Sequence, residues 1–305
     1  MQSATHILLV RPVSSAYNPE TATSNAFQRE ADVDPMTPVR RAQHEFDAFA
    51  EGLRNAGIDV IVVDDTDSPA KPDAVFPNNW VTFHADGRVI LYPMFAPSRR
   101  TERRKDILEL LKRRFVIGEV IDLSGYEKEG RFLEGTGSMV LDHVHKVAYA
   151  GISARTDEGL FVRVCELLSY RPVAFHAFDA DSREIYHTNV MMCIGEGFCI
   201  VCLASVTDAA ERSKVETSLR DSGLAMVDIT YEQMTHFAGN MLSVKSRTGE
   251  SLLVCSQQAA ESLTAGQLAT LERYARVVSL PIPTIEQLGG GSARCMMAEV
   301  FLDEK

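Results

Sequence analysis

A single cysteine, Cys295, is the residue of this chain best suited to nucleophilic chemistry. It lies in GGGSARCMMAEVF, residues 289–301, where three glycines and a serine lead into an apolar run near the C-terminus. The thiolate is the reactive form of cysteine, and glycine lets the backbone approach a ligand closely. The pattern predicts either a catalytic thiol or a small core residue at the start of a strand.

Two more residues could complete a site of this kind. His187, in IYHTN, is of the type that most often acts as general acid and base near neutral pH. Glu134, in LEGTGS, could orient that imidazole and stabilise its charged form. Each alone is also consistent with a structural role. We expect one Cys–His–Glu site because all three residues occupy equivalent positions of a repeated unit.

The composition excludes several classes of partner. The 305 residues carry a formal net charge of -11 and no long basic run, so nucleic acid and anionic membrane surfaces are not expected as partners. No stretch approaches the ~20 apolar residues of a membrane span, and the N-terminus lacks the pattern of a signal peptide. We therefore predict a cytoplasmic protein with reduced cysteines, without a zinc site at Cys199 and Cys202.

A repeated pattern positions the candidate residues. An apolar strand, a turn containing Gly and a second apolar strand are followed by a helical stretch and a short closing strand. The repeats begin in segments 76–95, 133–153, 187–205 and 238–257. The predicted helices are Arg99–Phe115, Thr156–Leu168, Asp208–Ser222 and Ala265–Arg276.

The two ends of the chain complement each other. His6–Val10 is a predicted strand, Val39–Gly57 a helix and Asp59–Val63 a strand, so the first unit lacks its leading strand. Ala293–Leu302 is a leading strand with nothing after it. The last strand can complete the first module, which closes a ring and removes unpaired strand edges.

The first residues of the leading strands then align. They are Asn79, Ser138, Asn189, Asn240 and Cys295. In a closed ring, equivalent positions face one axis, so we expect Glu134, His187 and Cys295 to meet in a central pit. The predicted fold is α/β, with five ββαβ modules around a pseudo-fivefold axis, in a single catalytic domain spanning residues 1–305.

The motifs resemble those of the guanidine-modifying, or pentein, superfamily over the whole chain. That superfamily includes arginine deiminases, dimethylarginine dimethylaminohydrolases and amidinotransferases. PDAVFPNNW (72–80) is similar to Pro-Asp-Ala-Val-Phe-Val-Glu-Asp of the dimethylaminohydrolases, FLEGTGS (132–138) to Leu-Glu-Gly-Gly-Asp, and GISART (151–156) to Gly-Leu-Ser-x-Arg-Thr. The resemblance implies a five-bladed α/β propeller, as the repeats also indicate.

The resemblance also implies residue roles. Cys295 would attack the planar carbon of a guanidino or ureido group, and His187, held by Glu134, would protonate the departing amine and then activate water. Arg155 and Arg100 match arginines that bind the substrate carboxylate, with Arg99 an equally near alternative to Arg100. Asp73 matches an aspartate of the substrate site, and residues 18–28 would form a flap.

The chain departs from the family pattern at the positions that bind the guanidinium. Deiminases have carboxylates where this chain has Asn79 and Asn189, and dimethylaminohydrolases have a glutamate where it has Asn78. An unpaired buried cation costs several kcal/mol, whereas an amide complements a neutral ureido group. The site therefore resembles citrulline-utilisation hydrolases, and the first expectation is hydrolysis of citrulline to ornithine, ammonia and carbon dioxide.

Two alternatives stay open at this point. One is hydrolysis or deimination of arginine or a methylated arginine; the other is a ligand-binding protein whose triad is idle. In each case the expected partner is a small amino acid, and no metal or other cofactor is expected. The sequence leaves the oligomeric state open, with a homodimer as one candidate.

Overall fold

The computed structural model describes residues 1–14, 17–22, 24–29 and 36–305. In these ranges the strands are β1 (His6–Arg11), β2 (Asp59–Asp64), β3 (Val81–Phe83), β4 (Arg88–Leu91), β5 (Glu119–Asp122), β6 (Val140–Asp142), β7 (Val147–Gly151), β8 (Arg171–Phe175), β9 (Met192–Ile194), β10 (Phe198–Val201), β11 (Ala225–Asp228), β12 (Leu242–Lys245), β13 (Ser251–Ser256), β14 (Arg276–Leu280) and β15 (Ala298–Val300).

Helices connect these strands and precede several of them. The α-helices are α1 (Pro19–Ala22), α2 (Met36–Asn55), α3 (Lys105–Leu111), α4 (Gly135–Ser138), α5 (Glu158–Leu168), α6 (Thr188–Met191), α7 (Ala209–Asp221), α8 (Tyr231–Thr235), α9 (Gln257–Ser262), α10 (Ala265–Leu271), α11 (Pro283–Gly289) and α12 (Ala293–Met296). Short 3-10 helices span Pro77–Asn79, Pro97–Glu102, Ser124–Glu129 and Leu203–Ser205.

The strands pair in five units of the same design. In each unit a leading strand runs antiparallel to a central strand, which runs parallel to a closing strand. The central and closing strands of every unit are joined through at least one helix. This is a mixed α/β fold, and the order of elements in units two to five is the ββαβ order that the sequence predicts.

The C-terminal strand provides the leading strand of the first unit. β15 runs antiparallel to β1, with Val300 opposite His6 and Ala298 opposite Leu8. It also pairs with β3 through Val300 and Phe83. The first two units consequently share one six-stranded sheet in the order β2-β1-β15-β3-β4-β5, and the other three units are separate three-stranded sheets.

The capping residues explain where several crossover helices begin. Asp157 accepts the Leu160 backbone N–H at the start of α5, and Asp208 accepts from Ala210 and Glu211 at the start of α7. Thr264 and Gln267 form a reciprocal capping box at α10. Such caps satisfy backbone donors that a helix leaves without an internal partner.

The helix predicted over Arg99–Phe115 is interrupted. The chain forms the 3-10 helix Pro97–Glu102, leaves helical geometry at Arg103 and Arg104, and starts α3 at Lys105. The guanidinium of Arg103 donates to the Tyr92 carbonyl at 3.1 Å and pairs with Glu127. These tertiary contacts outweigh the helical periodicity of the segment.

The aligned residues lie in short turns, not at strand starts. Asn79 and Ser138 end one-turn helices, Asn189 and Cys295 lie within α6 and α12, and Asn240 precedes β12. The prediction that these residues open the leading strands is therefore wrong by a few positions. Apolar alternation begins in the turn, so the periodicity does not distinguish the turn from the strand that follows it.

Side chains link each turn to the turn of the preceding unit. Thr136 Oγ1 donates to the Asn78 carbonyl at 3.3 Å, and Thr188 Oγ1 donates to the Ser138 carbonyl at 2.6 Å. Asn240 Nδ2 donates to the Asn189 carbonyl at 2.9 Å. Helix α12 packs beside the 3-10 helix Pro77–Asn79. With α12 as the turn of the first unit, the five turns gather polar residues from every unit into one region.

Candidate active site

His187 and Glu134 form a buried hydrogen-bonded pair. His187 Nε2 lies 2.8 Å from Glu134 Oε2, and the two residues are 2% and 0% exposed. An ionised carboxylate only accepts hydrogen bonds, so Nε2 carries the proton and Nδ1 is left as the acceptor of a neutral ring. The second carboxylate oxygen accepts the Phe95 backbone N–H at 2.9 Å. Each carboxylate oxygen of Glu134 is therefore held by a hydrogen bond.

A glycine makes room for the imidazole. A Cβ atom at Gly137 would lie 2.7 Å from His187 Cε1 and Nδ1 and 2.5 Å from Asn79 Nδ2. Real side chains do not approach so closely, and both groups are held by the fold. The second glycine of the GTG sequence after Glu134 is thus explained by the space that His187 and Asn79 occupy.

The protonation states follow from burial and charge. Burial lowers the pKa of His187 to about 4, against the raising effect of Glu134. Burial alone would raise the pKa of Glu134, but Arg155, His187 and Arg99 outweigh it and hold that pKa well below its usual range. At neutral pH the pair is a neutral imidazole beside a carboxylate, which is the state a general base requires.

Cys295 is buried among amide groups. It is 3% exposed, and its Sγ accepts hydrogen bonds from Asn189 Nδ2 at 3.4 Å and Asn240 Nδ2 at 3.3 Å. The other cysteines are free and buried, and burial raises their pKa to about 12, or about 11 for Cys202. Two side-chain donors point at the sulfur of Cys295.

One small cavity brings most of the predicted residues together. Its volume is about 10 Å³, room for roughly one water molecule. It is lined by Thr21, Asn25, Asp73, Phe76, Asn79, Arg99, Arg155, Tyr186, His187, Gly289, Gly291 and Cys295. The thiol, the imidazole and two guanidinium groups therefore face one space, with Glu134 behind the imidazole.

Two arginines form the charged wall of this cavity. Arg99 makes two 2.9 Å bonds to the Glu102 carboxylate and donates to Asn79 Oδ1 at 2.9 Å. Arg155 Nη1 lies 3.6 Å from Glu134, and its guanidinium lies over the Tyr186 ring at 4.9 Å. Both side chains are buried, so their charges are held by fixed partners.

The predicted flap covers the cavity in part. Residue 23 of the range 18–28 lies outside the described residues. Arg155 donates to the Thr21 carbonyl at 3.0 Å and to Ser24 Oγ at 2.7 Å, and Asn18 Nδ2 donates to Asp73 Oδ2 at 2.7 Å. These hydrogen bonds hold the described flap residues against residues of the predicted substrate site.

Arg100 lies outside the cavity. Its guanidinium is partly exposed, donates to the carbonyls of Met94 and Phe95, and lies 3.4 Å from Glu127. The structure thus places Arg99 where the sequence predicted Arg100. Both residues belong to an irregular 3-10 turn, where the direction of neighbouring side chains does not follow a helical period.

Asn78 and Asn189 lie beside the cavity and not in its lining. Asn78 Nδ2 donates to Thr136 Oγ1 at 3.3 Å, and Asn189 reaches the sulfur of Cys295. Sequence reasoning missed three residues of the site, which are Asn240, Glu102 and Tyr186. Of these, Asn240 had a usable signal, because it aligns with Cys295 and Asn189 in the repeats.

Several buried polar atoms around the site have no hydrogen-bond partner. They are Asp73 Oδ1, Asn78 Oδ1, Asn79 Nδ2, Asn189 Oδ1 and Asn240 Oδ1. Buried polar groups are nearly always paired, so a cluster of unpaired ones indicates a place for a polar ligand.

Other features of the surface do not compete with this site. A groove of about 870 Å³ is larger, but its lining lacks Cys295, His187 and Glu134. Within the described ranges, no group of three or more His, Cys, Asp or Glu side chains could hold a metal ion, and no helix is long and apolar enough to cross a membrane.

Comparisons with known proteins identify a matching family. The family model described as N,N dimethylarginine dimethylhydrolase, eukaryotic, matches residues 11–302. No curated protein sequence matches the chain significantly.

Several solved structures share the fold. One is a substrate-bound cysteine variant of the N-terminal domain of ArgZ, a cyanobacterial arginine dihydrolase of the ornithine–ammonia cycle, with 16% identity, a TM-score of 0.74 and coverage of 97% of this chain and 99% of that one. A cysteine variant of AgrE bound to L-arginine has 16% identity and a TM-score of 0.75, over 97% of this chain and 40% of that one. A dimethylarginine dimethylaminohydrolase adduct with S-methyl-L-thiocitrulline has 16% identity and a TM-score of 0.65, over 98% and 99%.

Proposed function

Because the chain belongs to the N,N-dimethylarginine dimethylhydrolase family, we propose that it hydrolyses the guanidino group of arginine or a methylated arginine through a covalent bond to Cys295. The chain is a hydrolase of carbon–nitrogen bonds within the pentein superfamily. The comparisons do not support our first expectation of citrulline as substrate, and they favour the arginine-type alternative.

The charge of the site is the observation that carries this proposal. Three buried carboxylates, those of Asp73, Glu102 and Glu134, surround two buried guanidinium groups, those of Arg99 and Arg155. Burial raises the pKa of Glu102 to about 7, whereas its two 2.9 Å bonds from Arg99 favour the ionised form. With His187 neutral and Glu102 ionised beside Arg99, three negative charges against two positive ones leave one negative charge. A guanidinium group would neutralise it, which favours a cationic substrate in a region of low dielectric.

The reaction begins with attack by sulfur. Cys295 Sγ bonds to the planar guanidino carbon, and His187 Nδ1 takes the thiol proton as general base. The imidazolium then protonates the departing nitrogen, with the ionised Glu134 stabilising its positive charge. Loss of the amine leaves a carbon–sulfur adduct.

Water completes the cycle. His187 takes a proton from the water molecule that attacks the adduct, and collapse of the tetrahedral intermediate returns the thiol. Asn79 Nδ2 is an unpaired donor close to the imidazole, since a Cβ at Gly137 would touch both groups. We assign to it the stabilisation of negative charge on the water-derived oxygen.

The remaining polar groups are assigned to the amino-acid end of the substrate. Arg155 is the candidate for the α-carboxylate, with Arg99 replacing Arg100 as the second arginine. Asp73 Oδ1 is unpaired and can accept from the α-ammonium group. A cavity of about 10 Å³ does not hold an amino acid, because ligand pockets usually exceed about 300 Å³. Substrate binding therefore requires Thr21 and Asn25 to move outward.

The wider organisation is part of the same proposal. We place the five units as blades around this site, in a single domain, since hydrogen bonds connect successive turns from Asn78 to Asn240. A cytoplasmic location and the oligomeric state stay predictions from the sequence.

Hydrolysis of citrulline is the second candidate. Asn79 and Asn189 occupy positions where deiminases have carboxylates, and an amide can pair with both the carbonyl and the amino group of a neutral ureido compound. This observation favours citrulline, whereas the charge of the whole site favours a guanidine.

Three incubations separate the candidates. Purified protein is given arginine, NG,NG-dimethylarginine or citrulline, and ammonia, dimethylamine, citrulline and ornithine are measured. Consumption of arginine or its methylated form, with citrulline or ornithine as product, supports the proposal. Ornithine from citrulline, without turnover of either guanidine, contradicts it and supports the second candidate.

A further inference from the structure

Two asparagines flank the nucleophile in the same way. Asn189 Nδ2 and Asn240 Nδ2 both donate to Cys295 Sγ, at 3.4 and 3.3 Å, and both side chains are fully buried. The carbonyl oxygen of each amide has no hydrogen-bond partner. The sulfur thus contacts two buried amides whose carbonyl oxygens are satisfied by no group among the described residues.

The orientation of Asn240 is fixed by the backbone. Its Nδ2 also donates to the carbonyl oxygen of Asn189 at 2.9 Å, and a carbonyl can only accept. Oδ1 must therefore point away from that carbonyl. Gly239 allows this close approach, because a Cβ there would lie 2.4 Å from the Val190 carbonyl oxygen.

We propose that Asn240 is a catalytic residue. Its Oδ1 and that of Asn189 each accept an N–H hydrogen bond from one of the two terminal nitrogens of the guanidino group whose carbon Cys295 attacks. This pairing selects guanidines that carry no substituent on those nitrogens. The inference rests on the proposed function, and it names the substrate class within it. Nitrogens on a carbon that reacts with Sγ lie next to the sulfur, and each of the two amides contacts that sulfur through Nδ2 while its Oδ1 has no partner. Arginine offers an –NH2 group to each, whereas NG,NG-dimethylarginine offers only one.

The reaction with this substrate is balanced. Sγ forms a bond to the guanidino carbon while the bond from that carbon to one –NH2 group breaks, and the nitrogen leaves as ammonia with a proton from His187. Water then replaces sulfur on the carbon and the thiol is regenerated. The sum is arginine plus water giving citrulline plus ammonium, and a second hydrolysis of the same carbon would give ornithine.

The close packing beside Cys295 also favours an unsubstituted guanidine. Phe76 packs over the glycines before Cys295, since a Cβ would lie 2.5 Å from its ring at Gly289 and 3.1 Å at Gly291. A Cβ at Gly291 would also lie 3.3 Å from Cys295 Cβ. This packing limits the space beside the nucleophile, and a dimethylated nitrogen would also leave one acceptor unpaired, which costs about tenfold to a hundredfold in affinity or rate.

The test compares arginine, NG-monomethylarginine and NG,NG-dimethylarginine. In the wild-type protein we expect kcat/KM to fall in that order, by tenfold or more from arginine to the dimethylated compound. In Asn240→Leu, which keeps the shape of the side chain without its polar atoms, we expect this preference to fall at least tenfold. Equal losses for all three compounds, or a wild-type preference for the dimethylated one, would overturn the inference.

Two additions keep the result decisive. Asn55→Leu makes the same substitution at an exposed position near the end of α2, and its preference among the three compounds should equal that of the wild type. Asn240→Ala replaces Asn240→Leu if the latter does not fold. Calorimetric binding to Cys295→Ser separates the inference from the proposed function. Tighter binding of arginine than of dimethylarginine supports the amide pair even if no guanidine is hydrolysed, and equal binding contradicts it.

Discussion

The two sides of the cavity satisfy their polar groups very differently. On the charged wall, Arg99 is paired with Glu102, Arg155 with flap groups and Glu134 with His187. At the sulfur end, the carbonyl oxygens of Asn189 and Asn240 are buried without partners. Asp73 combines both situations, because its Oδ2 accepts a hydrogen bond from Asn18 and its Oδ1 has no partner.

The difference separates preorganisation from recognition. Charges that are paired before substrate arrives need no rearrangement during the reaction, which is how electrostatic stabilisation acts most effectively. Unpaired amides gain hydrogen bonds only when a ligand supplies them. The charged wall therefore fixes the base and its protonation state, and the sulfur end discriminates among substrates.

The largest effect is expected at the nucleophile. Cys295→Ser should lower turnover of arginine by about 10³-fold or more, because the hydroxyl is a far weaker nucleophile in the same position. Steady-state rates and thermal unfolding would be measured together. Cys165→Ser, at a buried cysteine outside the site, should keep most of its activity. Near-normal turnover by Cys295→Ser would remove the nucleophile assignment.

Neutralising the charged wall should have the next largest effect. Glu134→Gln keeps an acceptor for His187 Nε2 but loses the charge that stabilises the imidazolium, so kcat should fall by about a hundredfold or more. Alkylation of Cys295 by iodoacetamide at fixed pH should change much less, since the sulfur end is intact. An equally large loss in the rate of alkylation would show that the charged wall and the sulfur end do not act independently.

A charge added beside Arg99, at Asn79, should change selectivity. Asn79→Asp places a carboxylate next to Arg99 and close to the reacting carbon. We expect the ratio of arginine turnover to citrulline turnover to rise about tenfold, which is the effect of one charge-assisted hydrogen bond. If one of the two compounds is not turned over, the ratio of their binding affinities is measured instead. The exposed Asn55→Asp is the control. If the ratio does not change, the amides do not distinguish guanidino from ureido groups.

The smallest effect is the dependence of stability on pH. Burial lowers the pKa of His187 to about 4, and those of His84 and His143 to about 4 and 3. An unfolded histidine titrates near 6.5, so between these values the unfolded chain binds more protons and stability falls as pH falls. His187 should account for about 1 kcal/mol between pH 7.5 and 5.5, measured by urea unfolding of wild type and His187→Gln. Burial raises the pKa of Glu102, Glu286 and Glu299, which acts in the opposite direction on total stability. The test is therefore the difference in stability between the two proteins, and a difference that does not change with pH contradicts the buried neutral state.

The repeats made part of the site predictable. The spacing of similar segments indicated which residues share a position, and the structure places Cys295, His187, Asp73, Asn79 and Arg155 around one cavity with Glu134 behind it. The citrulline prediction followed from considering the amide side chains of Asn79 and Asn189 individually. It did not include Glu102, whose carboxylate pairs with Arg99 and changes the charge of the whole site.

The sequence alone determined the order of strands and helices and the residues that could react, because periodicity and composition are local properties of the chain. Tertiary structure decided that Arg99 and not Arg100 faces the cavity, and that Asn240 reaches the sulfur of Cys295. Both outcomes depend on how irregular turns from different units pack against one another. Such packing is fixed by contacts between residues far apart in the chain, such as the 2.9 Å hydrogen bond from Asn240 to the Asn189 carbonyl.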